Sequence, residues 1–66
     1  MTKETFYVVM AGGITYAVTQ SKQQAIVICN RLAFARPDLD RVIVLKKEVH
    51  EDEHVTSKII HEISNI

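Results

Sequence analysis

Thr5-Phe6-Tyr7-Val8-Val9-Met10-Ala11-Gly12-Gly13-Ile14-Thr15-Tyr16-Ala17-Val18-Thr19 reads as a β-hairpin. Residues 6–10 and 14–18 are β-branched and aromatic runs, the composition that fits a pleated, half-buried surface. Gly12-Gly13 lies between them and supplies the positive φ angles of a two-residue turn of type I′ or II′. That turn predicts a register with Ala11 opposite Ile14, Val9 opposite Tyr16 and Tyr7 opposite Val18. Strand side chains alternate, so these six share one apolar face. The other face, with Phe6, Val8, Met10, Thr15, Ala17 and Thr19, is mixed and half apolar.

Beyond the hairpin, Ser21-Lys22-Gln23-Gln24 matches a capping box, in which serine caps the backbone and Gln24 reaches back. The spacing predicts a helix from there to about Ala35, stopped by Pro37, because the residue before a proline avoids the helical region. At about 100° per residue, Ala25, Ile28, Cys29 and Leu32 form one stripe that packs on the sheet. Val27 and Phe34 point away from it. Pro37-Asp38-Leu39-Asp40 is a turn. Arg41-Val42-Ile43-Val44-Leu45-Lys46 then carries four consecutive apolar residues, as expected of a strand with both faces covered. Parallel pairing with the first hairpin strand would make it central.

From about Asp52 the spacing predicts a second helix. Val55, Ile59, Ile63 and Ile66 fall within about 80° of one another on a helical wheel. The fold expected is α+β: a small single-layer sheet, made of the β-hairpin and a third strand, with helices packed on it, in the order ββαβα. Tyr7, Val9, Tyr16, Val18, Ile28, Leu32, Ile43 and Leu45 are the expected core.

Sixty-six residues, 47% of them hydrophobic, make a single domain spanning residues 1–66. So small a core usually needs a disulfide, a metal or a partner. Cys29 is the only cysteine, which excludes an internal disulfide and fits a reducing compartment. No apolar run approaches the roughly 18 residues of a membrane span, and residues 1–4 have no signal-peptide character. The expectation is a complete cytoplasmic protein. Net charge is zero but polarised: residues 22–47 hold six basic and two acidic side chains, and residues 48–66 hold five acidic and one basic.

His50-Glu51-Asp52-Glu53-His54 has the form of the zinc-protease signature, in which two histidines one helical turn apart bind zinc and the glutamate activates its water. The extended motif wants a histidine where Ile60 stands and a glycine where Ser57 stands. Too little chain remains to build a substrate cleft, so no enzyme is expected. On a helix beginning at His50, His50, His54 and His61 lie within about 40° of one another, opposite the isoleucine stripe. That leaves His50 and His54 as a surface zinc site at most. Cys29, on the core face in mid-helix, is structural rather than nucleophilic. No cofactor is expected.

Two surfaces remain. Arg36, Arg41, Lys46 and Lys47 could form a basic edge for nucleic acid, although the zero net charge and the absence of an RNA-binding motif count against it. Phe6, Met10, Val27, Arg31 and Phe34 stand outside the expected core, and apolar surface on a small protein marks partner sites. These five are the candidate anchors for a protein partner or a homodimer. The layout resembles that of small phage-encoded proteins that bind and block a host enzyme, and of small nucleic-acid-binding modules. The resemblance is one of size and element order and assigns no site residue. The expected function is a non-enzymatic protein-interaction module that regulates or inhibits its partner by binding.

Overall fold

The computed structural model describes residues 2–66. The chain runs through β1 (Thr2–Ala11), β2 (Ile14–Thr19), α1 (Lys22–Ala35), β3 (Arg41–His50) and β4 (Val55–Ser64). The four strands form one antiparallel sheet in the order β2-β1-β3-β4, and α1 contacts all four of them. The class is α+β, and the element order is ββαββ.

Gly12 and Gly13 hold φ angles of 57° and 78°, as the tight turn requires, and Ala11 pairs with Ile14 as expected. The rest of the expected hairpin register is corrected by one residue. A bulge at Tyr16 makes Val9 pair with Ala17 and Tyr7 with Thr19. An extra residue in one strand turns every side chain beyond it to the other face. Val18 therefore stands beside Val8, away from α1, and is 62% exposed. Tyr16, also expected in the core, is exposed.

Ser21 caps α1, its hydroxyl accepting from the Gln24 amide at 3.2 Å. The reciprocal half of the box is replaced: Thr19 Oγ1 accepts from the Ser21 amide at 3.1 Å and donates to Gln24 Oε1 at 3.1 Å. Ala25, Cys29 and Ala33, four residues apart, are the buried stripe, with Ile28 and Leu32 packed at its margin. Their small size lets the helix approach the sheet closely.

β3 is central, as its apolar run suggests, but it lies antiparallel to β1. β2 returns against β1 and α1 carries the chain back, so β3 runs with β2 and against β1. The expected C-terminal helix is instead β4, paired with β3 from Arg41↔Ser64 to Val49↔Val55. A spacing of four residues suits a strand as well as a helix, since four is a multiple of two. Val55, Thr56, Ile59, Ile60 and Ile63 are β-branched, and β3 offers them a long edge to pair with. A bulge between Leu45↔Ile59 and Val44↔His61 brings Ile60 and Ile63 against the core beneath α1. The Asn65 side-chain amide donates to the Leu39 carbonyl at 2.8 Å and to the Ala33 carbonyl at 3.2 Å, tying the chain end to the helix end.

The core lies between α1 and the sheet: Val9, Ala11, Ala25, Cys29, Ala33, Val42 and Val44. Among the described residues no fully buried side chain is larger than valine. Of the expected core, Val9 is buried there and Tyr7, Ile28 and Leu32 border it, whereas Ile43 and Leu45 project from the opposite face.

Candidate functional site

Residues paired across antiparallel strands share a face, so the register defines the side of the sheet away from α1. Val18, Val8, Leu45 and Ile59 form one row across all four strands. The next row is Thr15, Met10, Ile43 and Glu62. On the other side of the apolar row lie Phe6, Lys47 and Ser57. Among the described residues no element covers these rows. Val8, in the middle, is only 4% exposed because larger neighbours crowd it, while Val18 and Ile59 at the ends are 62% and 46% exposed. Phe6, Met10, Ile43 and Leu45 are half-buried.

Charges close this face at both ends. Arg41 Nε donates to Glu62 Oε1 at 2.7 Å at one end. Glu4 and Lys47 stand at the other, and neither has an ion-pair partner among the described residues.

Both sheet edges are bulged. The extra residue is Tyr16 in β2 and Ile60 in β4, and β4 also carries Lys58. Bulges and lysines on edge strands hinder pairing with another chain. Access to the sheet is therefore through its face rather than its edges.

The sequence-predicted anchors fall on two sides of the molecule. Phe6 and Met10 lie on the uncovered face. Val27, Arg31 and Phe34 lie on the outer side of α1, where Phe34 is 91% exposed. Val8 lies between Phe6 and Met10, on the face where alternation along β1 put all three. Val18, Ile43, Leu45 and Ile59 complete the uncovered face and were not singled out as site residues. Pairing of β1 with β3 would have added Ile43 and Leu45.

The basic residues do not converge. Arg36 Nε and one terminal nitrogen contact Asp38 at 2.9 and 2.8 Å, which holds the Asp38 carboxyl below its usual range. Arg41 is engaged by Glu62, and Lys46 and Lys47, adjacent on β3, point to opposite faces.

The three histidines do not share a helical face, because the segment is a hairpin. His50 and His54 face each other across the β3–β4 turn with rings stacked, centroids 4.2 Å apart. His54 Nδ1 also contacts Asp52, whose carboxyl is held low by that contact, and His50 Nε2 lies 3.0 Å from Thr56 Oγ1. His61 is on the α1 side, 3.0 Å from Asn30 Oδ1. Among the described residues no three metal-ligating side chains come together. Cys29 donates to the Val42 carbonyl at 3.7 Å, and burial pushes its thiol up. That keeps the sulfur protonated and unreactive.

A groove of about 560 Å³ runs between the glycine turn and the Pro37 turn, lined by Asp38, Asp40 and Arg41. No helix among the described residues is long and apolar enough to cross a membrane. No family model, no curated protein and no solved structure matches this chain.

Proposed function

We propose that the protein is a non-enzymatic interaction module that acts by binding a protein partner through the uncovered face of its sheet. The supporting observation is the apolar row Val18-Val8-Leu45-Ile59, flanked by Phe6, Met10 and Ile43 and closed by charges. An antiparallel sheet with one solvated face normally alternates apolar-in with polar-out. Here both sets are apolar at the centre of β1 and β3. A contiguous apolar patch with a polar rim is the anatomy of a protein interface. Phe6 and Met10 are the anchors within it, since aromatic side chains and methionine are enriched at interface cores.

Photo-crosslinking in the source cell tests this reading. A benzophenone side chain placed at Val18 or Ile59 is expected to capture a protein, its own copy included. The same probe at Phe34 is the control on the α1 side. Capture from Phe34 with none from Val18 or Ile59 would overturn the reading.

A further inference from the structure

We infer that the partner on this face is a second copy of the chain, stacked sheet on sheet with its strands antiparallel. The inference rests on the reading of the uncovered face as an interface and names its occupant.

Three observations favour a second copy. The first is the deficit in the monomer: one helix covers one side, and among the described residues nothing larger than valine is fully buried. Domains of this size usually draw on a disulfide, a metal or a partner, and there is a single cysteine and no cluster of three metal-ligating side chains among the described residues. A second copy is present in proportion to the chain itself, so it meets that need in every molecule. The second is area. Three ten-residue strands and one of six give a face of about 600 Å² in projection. A surface covered with side chains has more accessible area than its projection. That brings it near the roughly 800 Å² each partner contributes to a standard interface.

The third is charge. The face holds Arg41 and Lys47, Glu4 and Glu62, two of each sign, placed at opposite ends of the strands. Consider a two-fold axis along the apolar row. It stacks Val18, Val8, Leu45 and Ile59 on their own copies at the roughly 10 Å spacing of packed sheets. It lays Phe6 over the partner's Met10, a sulfur–aromatic contact. It also brings Lys47 beside the partner's Glu62, and Glu4 beside the partner's Arg41. Glu4 and Lys47, which lack an ion-pair partner among the described residues, thus each meet a member of the pair at the far end. An axis along the strands instead places Lys47 over the partner's Phe6 and Glu4 over the partner's Val49, which leaves Arg41 and Glu62 with no charge facing them across the interface.

The test is the mass of the full chain in solution by light scattering and sedimentation equilibrium. The expected result is twice the 7.5 kDa chain mass. Val18→Lys and Ile59→Lys, at positions exposed in the monomer, are expected to give a folded monomer by circular dichroism. Lys47→Glu and Glu62→Lys should each weaken the dimer by roughly tenfold or more, because each creates like-charge contacts. Mixing these two variants should restore the dimer as a heterodimer, since every contact across the axis is again between opposite charges. A wild-type chain that stays monomeric overturns the inference, as does a dimer that Val18→Lys and Ile59→Lys leave intact. A monomer whose Val18 probe still captures another protein would overturn the self-association alone and leave the proposed function standing.

Discussion

The two faces of the sheet come from the same strands, yet their side chains differ in size. Against α1 stand Val9, Ala11, Val42 and Val44, met by Ala25, Cys29 and Ala33. On the other side stand Phe6, Met10, Ile43 and Leu45, larger and only half-buried. Small side chains at the centre of both surfaces let the helix lie close, and the larger Tyr7, Ile28, Leu32, Ile60 and Ile63 pack around that centre. Large ones reach beyond their own sheet and are fully desolvated only when another layer lies across them. Each such side chain is worth about 1.5–3 kcal/mol when burial is complete. One face is covered by α1 within the monomer, and the other is left open.

Chemical access to a thiol should separate the two faces by the largest margin. Cys29 lies beneath α1 and is fully buried. Its alkylation requires unfolding, so it should be slowed on the order of a thousandfold relative to the unfolded chain, for a small domain of about 4 kcal/mol. A reporter thiol introduced as Val18→Cys in a Cys29→Ala background should react at nearly the unfolded rate when dilute. It should become protected as concentration rises. Equal rates at the two positions in dilute solution would break the distinction. The buried thiol also gives a pH signature. Its folded-state pKa lies above the ordinary 9.0, so the unfolded chain loses the proton first. Stability present below that value is lost as pH rises through it toward the folded-state pKa. Cys29→Ala should lack that component of the decline in urea-unfolding experiments.

A matched pair of substitutions sharpens the comparison energetically. Valine and threonine have nearly the same shape, so Val44→Thr and Val18→Thr differ chiefly in where the hydroxyl goes. At Val44 it enters the core against α1 without a prepared partner, and urea unfolding should show a loss of about 1–3 kcal/mol. At Val18 the change should stay within about 0.5 kcal/mol in dilute solution. The Val18 effect should grow with protein concentration, because a dimer linked to folding adds stability by mass action. A concentration-independent loss at Val18 as large as that at Val44 would mean that both faces are finished in the monomer.

Much of the covered side was legible in the sequence because its signals are local. Gly12-Gly13 dictated a turn, Ser21 a cap, Pro37 a stop, and residues 42–45 a strand. What was not legible depends on pairing. The bulge at Tyr16 has no local signature, and it alone sends Val18 to the uncovered face. Val55, Ile59 and Ile63 fit a helical stripe by spacing, and only their β-branching argued for a strand. Once that segment becomes β4, His50 and His54 leave their supposed helix and meet across a turn. Phe6 and Met10 were visible as candidates through alternation. Ile43 and Leu45 were assigned to the core because a four-residue apolar run does not say whether both its faces are covered by the same molecule.

The β3–β4 turn belongs to neither face and supplies the smallest effect. The His50 carbonyl accepts from the Glu53 amide at 2.9 Å, and the His54 carbonyl from the His50 amide at 2.9 Å. Closing the turn this way puts Glu53 at φ 71°, a region that suits glycine and strains a side chain. Its contact with Lys3 at 3.5 Å is exposed and adds little. Glu53→Gly should therefore stabilise the fold by about 0.5–1 kcal/mol, less the extra entropy glycine gives the unfolded chain. Because the turn lies beyond the rows of the uncovered face, the dimer dissociation constant should not move. A stabilised fold with an unchanged dimer would separate the folding of the sheet from the covering of its second face. If the dissociation constant of the proposed dimer moved with the substitution, β4 would reach the partner through its hairpin end, and the interface would extend past Val49 and Val55.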